Sequence, residues 1–108
     1  MKSVLILSDI NFWEDSSGHS ARLKALVGYL SPLVNLTVVN TGPAPKDIEE
    51  RLRAEYPAEF HILEKKNFMS SNGYGRRLER LMGDREFDVV IIEYIHSSYF
   101  LNFHTNRF

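Results

Sequence analysis

Val4 to Leu7 form an uninterrupted run of large apolar residues, the pattern of a strand covered on both faces. The run enters a polar loop, 9–17, that contains Phe12 and Trp13 and is followed by Gly18. Leu23, Leu26, Val27 and Leu30 then recur at helical spacing as one apolar stripe, and Pro32 stops that helix. Asn35 to Thr41 reads as a second strand with Leu36, Val38 and Val39 as its core. Pro45 precedes a helix with Ile48, Leu52 and Tyr56 on its buried side, and Pro57 ends it. Asp47 with Arg51 and Glu49 with Arg53 are favourable i, i+4 pairs on its outside. Phe60 to Leu63 gives a short third strand. A polar loop, 65–75, leads to a third helix through Leu78, Leu81 and Met82. Phe87 to Tyr94 gives a fourth strand whose run Val89 to Ile92 reads as buried on both sides, and Ser97 or Ser98 caps a last helix.

Strands separated by helical segments with short connections argue for parallel pairing and right-handed crossovers. The expected fold is therefore α/β: a Rossmann-like three-layer half-domain of four parallel strands in order 3-2-1-4, with helices on both faces. All of 1–108 belongs to this single domain. The first strand is central, and the switch point lies between strands one and four. The fourth strand forms an open edge, which invites either continuation of the sheet or pairing with a second copy.

Composition narrows the function. The formal charge of −1 gives no broad basic field for nucleic acid. There is no cysteine, hence no disulfide framework and no thiolate nucleophile. The opening apolar run is too short for a signal peptide or a spanning helix, so a cytoplasmic location is expected.

Candidate chemistry gathers where ligands bind in such folds, outside the carboxyl ends of the strands. Ser17, Gly18, His19 and Ser20 stand where helix amides point into the cleft, a place that favours a phosphate. The same residues also suit a plain helix cap and turn. Arg22, one turn into the helix, can reach a phosphate in bidentate fashion or pair with Asp9, Glu14 or Asp15. Glu93, Tyr94 and His96 follow the fourth strand, where a carboxylate or imidazole can deprotonate a hydroxyl. Equally, Tyr94 packs and His96 caps a helix. Phe12 and Trp13 stack on an acceptor or pack against protein. G-x-G-x-x-G is absent, which disfavours NAD and FAD. No metal site is expected: His96 and His104, eight residues apart, are roughly 12 Å apart along a helix, and His19 and His61 lie on unrelated segments. Lys65, Lys66, Phe68, Met69, Arg76, Arg77 and Arg80 mix bases with apolar residues, as a solvated face does, or a peripheral contact with an anionic membrane.

Three stretches carry a family resemblance: VLILSDINFWEDSSGHSARLKAL, LVNLTVVNTGPAP and REFDVVIIEYIHSSYFL. Together they resemble the amino-terminal half-domain of GT-B glycosyltransferases, especially the group-4, nucleotide-sugar-using enzymes. The likeness covers essentially the whole chain as a pattern, although each motif also occurs in other Rossmann-like folds. Many members carry two adjacent glycines in the first loop, where this chain has Ser17-Gly18. The resemblance implies an acceptor-side segment of an enzyme that moves a sugar from a nucleotide-sugar to a hydroxyl acceptor. The nucleotide-sugar is a co-substrate, and no further cofactor is implied. On this reading Glu93 and His96 are catalytic. Ser17, Gly18, His19, Ser20 and Arg22 hold the donor phosphates, and Phe12, Trp13 and Tyr94 hold the acceptor. The family's carboxy-terminal domain, with its E-x7-E motif, is a required partner, so this segment is expected to be inactive alone. The alternative is a self-contained α/β binding or assembly module that forms a homodimer through the fourth strand. A flavodoxin-like phosphate-handling enzyme ranks last, for want of a fifth strand.

Overall fold

A computed structural model describes residues 1–8, 10–14, 18–40, 44–63, 80 and 85–93. The elements run β1 (Ser3–Ser8), α1 (Gly18–Leu30), β2 (Asn35–Asn40), α2 (Ile48–Glu55), β3 (Glu59–Ile62) and β4 (Val89–Glu93). The four strands form one parallel sheet in the order β3-β2-β1-β4, the Rossmann-like layout expected from the sequence. The third helix, apart from a helical residue at Arg80, and the last helix lie outside the described residues.

Strand alternation sorts the core into two faces. Val4 and Ile6 of β1, Leu36 and Val38 of β2 and Phe60 of β3 share one cluster with Leu23 and Val27 of α1 and Ile48 and Leu52 of α2. Both described helices therefore cover the same face. Leu5, Leu7, Val39, Leu63 and Phe87 make the cluster on the other face. The register explains the division: Val4 is level with Leu36 and Val89, and Ile6 with Val38 and Ile91. Central β1 is buried on both sides, with Leu5, Ile6 and Leu7 fully excluded from solvent.

Local chemistry sets the boundaries. α1 closes at Leu30, whose carbonyl accepts from both Leu33 and Val34, and Pro32 sits in the turn between. Of its apolar stripe, Leu23 and Val27 are buried and Leu26 and Leu30 half-buried. α2 carries both expected ion pairs, Asp47–Arg51 at 3.9 Å and Glu49–Arg53 at 3.6 Å. Each is largely exposed and contributes only a few tenths of a kcal/mol, of order 0.3–0.5.

β4 departs from the sequence expectation in its burial. Its apolar run is not enclosed: Val89 is 47% exposed, and Val90, Ile91 and Ile92 are half-buried. β4 pairs with β1 alone among the described strands, so it lies at the edge of the sheet.

On the face opposite the two helices, one cation ties the outer strands together. Arg85 Nη1 donates to Glu59 Oε2 at 2.7 Å, and Arg85 Nη2 donates to Thr37 Oγ1 at 3.0 Å. The guanidinium also lies 5.3 Å from the Phe87 ring centre. His61 Nε2 donates to the same Glu59 oxygen at 2.6 Å. A residue just before β4 thus grips β2 and β3 across β1. Partial burial pushes the Glu59 carboxyl pKa up, but hydrogen bonds from His61 and Arg85 and the charge of both outweigh it and hold the pKa below its ordinary value. A depressed carboxylate stabilises the fold fully above its unfolded value near 4.5, and that contribution fades as pH falls through the folded value. Wild type should therefore exceed Glu59→Gln in stability at neutral pH, with the gap closing below about pH 4.5. Urea melts from pH 7 to pH 3 check this. A gap constant across that range would show that the carboxylate charge is not what holds the strap.

Candidate functional site

The carboxyl ends of β2, β1 and β4 line up as Asn40, Ser8 and Glu93, in that order across the sheet. This row is the switch point, and the β1–α1 loop leaves from its centre. Two buried side chains of the row fix the loop by its backbone. Ser8 Oγ accepts from the Ile10 amide at 2.9 Å, and Asn40 Nδ2 donates to the Ile10 carbonyl at 2.6 Å. Both residues are fully buried, so each bond is made where water cannot replace it. The Asn40 carbonyl also accepts from Leu63 at 2.7 Å, which joins the end of β3 to the same point.

Beyond Ile10 the loop curls back on itself. The Phe12 amide donates to the Ile10 carbonyl at 2.9 Å, and the Glu14 amide to the Asn11 carbonyl at 3.1 Å. Ser20, buried in the first turn of α1, donates from Oγ to the same Asn11 carbonyl at 3.3 Å. Phe12 drops into the core. Its ring stacks on Phe60 with centres 6.3 Å apart and meets Trp13 edge-on at 5.3 Å.

These contacts locate the residues expected to act. Phe12 is fully buried, so its ring has no face to offer an acceptor, and its role in this conformation is to anchor the loop. Trp13 is half-buried beside it. Ser20 spends its hydroxyl on the Asn11 carbonyl rather than presenting it at the helix start. Gly18 opens α1 and is exposed, and a methyl group there would meet nothing within 4 Å. Arg22 is exposed on α1. His19 and Glu93 are placed by their backbone, at the start of α1 and the end of β4. Ser17, Tyr94 and His96 lie outside the described residues. Backbone position thus brings Gly18, His19, Ser20 and Arg22 onto one helical turn and puts Glu93 level with Ser8.

Sequence reasoning missed Ser8, Asn11 and Asn40. A polar residue closing an otherwise apolar strand was the available signal. Asn11 Oδ1 and Trp13 Nε1 are buried atoms without a hydrogen-bond partner. Each such atom costs about 1–3 kcal/mol relative to a satisfied one.

A cleft of about 960 Å³ lies at the opposite, amino-terminal end of the strands, lined in part by Ser3, Asn35, Arg53, Glu59 and Arg85. It receives the carboxyl ends of α1 and α2, where carbonyls favour cations. Its arginines are already engaged: Arg53 donates to the Phe60 carbonyl at 2.8 Å, and Arg85 to Glu59 and Thr37. This cleft reads as a structural seam, despite its size. Among the described residues no group of His, Asp and Glu is placed to hold a metal ion, and no helix is long and apolar enough to cross a membrane.

No family model, no curated protein and no solved structure matches the chain.

If Asn40 holds the loop, Asn40→Leu leaves the Ile10 carbonyl without its side-chain donor in a dry site. The loss should be about 1–3 kcal/mol in denaturant melts, with faster amide exchange at Phe12 and Glu14. A loss under about 0.5 kcal/mol would show that the loop stands without it.

Proposed function

We propose that this chain is the acceptor-side α/β segment of a GT-B-like glycosyltransferase, working from the carboxyl ends of β1 and β4. The observation that carries the reading is the row Asn40–Ser8–Glu93 with the β1–α1 loop stitched to its centre. That geometry gives a fixed floor at the switch point, the usual ligand position of the fold. The open backbone at Gly18 supports an approaching diphosphate at the start of α1. Support also comes from the resemblance of the three sequence stretches.

In this mechanism the acceptor hydroxyl oxygen attacks the anomeric carbon of a nucleotide-sugar. The bond from that carbon to the diphosphate oxygen breaks, and the nucleoside diphosphate leaves with the electron pair. Glu93, or His96, takes the hydroxyl proton. Arg22 and the first amides of α1 favour the negative charge of the leaving group. The carboxy-terminal partner domain would supply most of the donor contacts, and the complete enzyme would act in the cytoplasm, with or without peripheral contact to a membrane.

The test is sugar transfer by the native polypeptide that carries this sequence, captured from its source cells and given labelled UDP- and GDP-sugars with alkyl glycoside acceptors. Glu93→Gln should lower kcat by about 100-fold or more. Arg22→Ala should lower kcat/KM roughly 10- to 100-fold with the melting temperature unchanged. Absence of both transfer and nucleotide binding in the folded protein would remove the reading.

The exposed edge at β4, with Val89 half in solvent, favours a second reading: an assembly module that dimerises through that strand. Sedimentation of the 108-residue chain separates the two. A well-folded dimer with protected β4 amides supports the module, and a monomer with exchanging β4 amides opposes it.

A further inference from the structure

We propose that a cavity between the start of α2 and the end of β3 is a binding subsite for one ring of a neutral polyhydroxylated ligand, with the Glu49 carboxylate accepting from its hydroxyls and the Lys46 ammonium donating to them. The choice of a hydroxylated ligand rests on the reading that this end of the sheet takes a hydroxyl acceptor.

The cavity measures about 210 Å³ and is lined by Ala44, Pro45, Lys46, Ile48, Glu49 and Ile62. Ile62 is level with Asn40, so the cavity extends the row of strand ends Asn40–Ser8–Glu93 by one strand. Ligands of such sheets bind outside the carboxyl ends of the strands. The volume is that of about seven waters in the liquid, which is room for a single six-membered ring with its hydroxyls and too little for a nucleotide.

The lining selects among ligands of that size. Ala44, Pro45, Ile48 and Ile62 give apolar walls that suit the C–H face of a sugar ring. Glu49 supplies a group that only accepts, and Lys46, exposed at the rim, a group that only donates. Their charges are opposite. An anion therefore meets the Glu49 carboxylate, and a cation meets the Lys46 ammonium. A hydroxyl both donates and accepts, so a neutral polyol serves both groups. A zwitterion of similar size also matches the charges, which makes an amino acid the informative control.

The walls are in place before a ligand arrives. Glu49 Oε1 accepts from the Ile62 amide at 2.8 Å, which bridges α2 to β3 along the cavity. The other oxygen lies 3.6 Å from Arg53 Nη2, longer than a hydrogen bond, and so keeps lone pairs for a hydroxyl. The Ile48 amide donates to the Pro45 carbonyl at 3.2 Å, which sets the turn that carries Lys46. Ala44 and Ile62 pack against the core cluster that contains buried Ile48. An ordered site of this kind gives up little freedom when it binds.

The backbone amides of Lys46, Glu49 and Ile62 are followed by proton–nitrogen NMR during titration with methyl α-D-glucopyranoside, methyl α-D-mannopyranoside, inorganic phosphate and L-valine. At least one glycoside should give saturable shifts at these amides, half-complete at millimolar ligand. Glu49→Gln keeps an acceptor for the Ile62 amide but loses the charge, and should weaken that binding about two- to tenfold. Ala44→Leu fills the cavity and should abolish the shifts, with the melting temperature unchanged or raised. No saturable shift with either glycoside, or shifts with phosphate or valine alone, overturns the proposal. Glycoside binding of wild-type strength in both variants overturns it as well. The transfer assay is independent: glycoside binding here without transfer removes the transferase and leaves the subsite, and transfer with an unchanged acceptor KM in Ala44→Leu does the reverse.

Discussion

The architecture at the carboxyl end of the sheet depends on one residue's backbone. Ile10 gives its amide to Ser8 Oγ and its carbonyl to Asn40 Nδ2, at 2.9 and 2.6 Å in a dry environment. These two bonds convert the end of a strand into a fixed turn. Without them, the chain leaving β1 would carry unpaired polar groups into the core, at a cost comparable to a substantial part of a small domain's net stability. With them, Ile10 and Phe12 can both insert into the helix-covered face while Asn11 between them stays half-buried. The loop is thereby a rigid extension of β1.

The two ends of the sheet solve the same problem with different chemistry. At the amino end, charge does the work: Arg85 reaches Glu59 and Thr37 across β1, and His61 braces the carboxylate from beside it. Such a network is sensitive to pH and salt because its members are partly exposed. At the carboxyl end the ties are neutral and buried, so neither condition loosens them. A cleft formed by structural ion pairs is therefore a poor guide to function here. At the carboxyl end, among the described residues, Asn11 Oδ1 and Trp13 Nε1 are the buried side-chain atoms left without a hydrogen bond.

Periodicity made most of the fold legible. The unbroken run Val4 to Leu7 implied a strand buried on both faces, and the two core clusters bear this out, with Val4 and Ile6 in one and Leu5 and Leu7 in the other. The stripe at Leu23 and Val27, the stop at Pro32 and the pairs on α2 followed from spacing alone. β4 shows the limit of that argument. Its composition matches β1, but burial of a strand's side chains is decided by what packs over its two faces, which no local window contains. The loop was less legible still. Phe12 sits in a polar stretch that leaves open whether its ring stacks on an acceptor or packs against protein, because the two hydrogen bonds that send it inward come from a residue before it and one 28 positions after it. Asn40 reads as a polar residue near the end of the second strand, outside its apolar core, and is a buried clamp.

The same reasoning shows how one residue of three anchors the loop. Asn11, Phe12 and Trp13 alternate in environment as a strand would, although they form a turn. Phe12 spends its whole surface on the core, and the contact with Phe60 holds the turn against α2's side of the sheet. Asn11 and Trp13 on either side are half-buried, and Asn11 Oδ1 and Trp13 Nε1 are covered without a hydrogen-bond partner among the described residues. A loop selected only for stability would be expected to replace these ends with apolar groups of similar shape, since that change is close to neutral or favourable when both partners are absent. That polar ends stand at both positions is a cost to the fold, and costs of this kind collect at functional sites. The anchor at Phe12 is what makes the cost bearable: it fixes the turn through buried area, so the polar neighbours are free of structural duty.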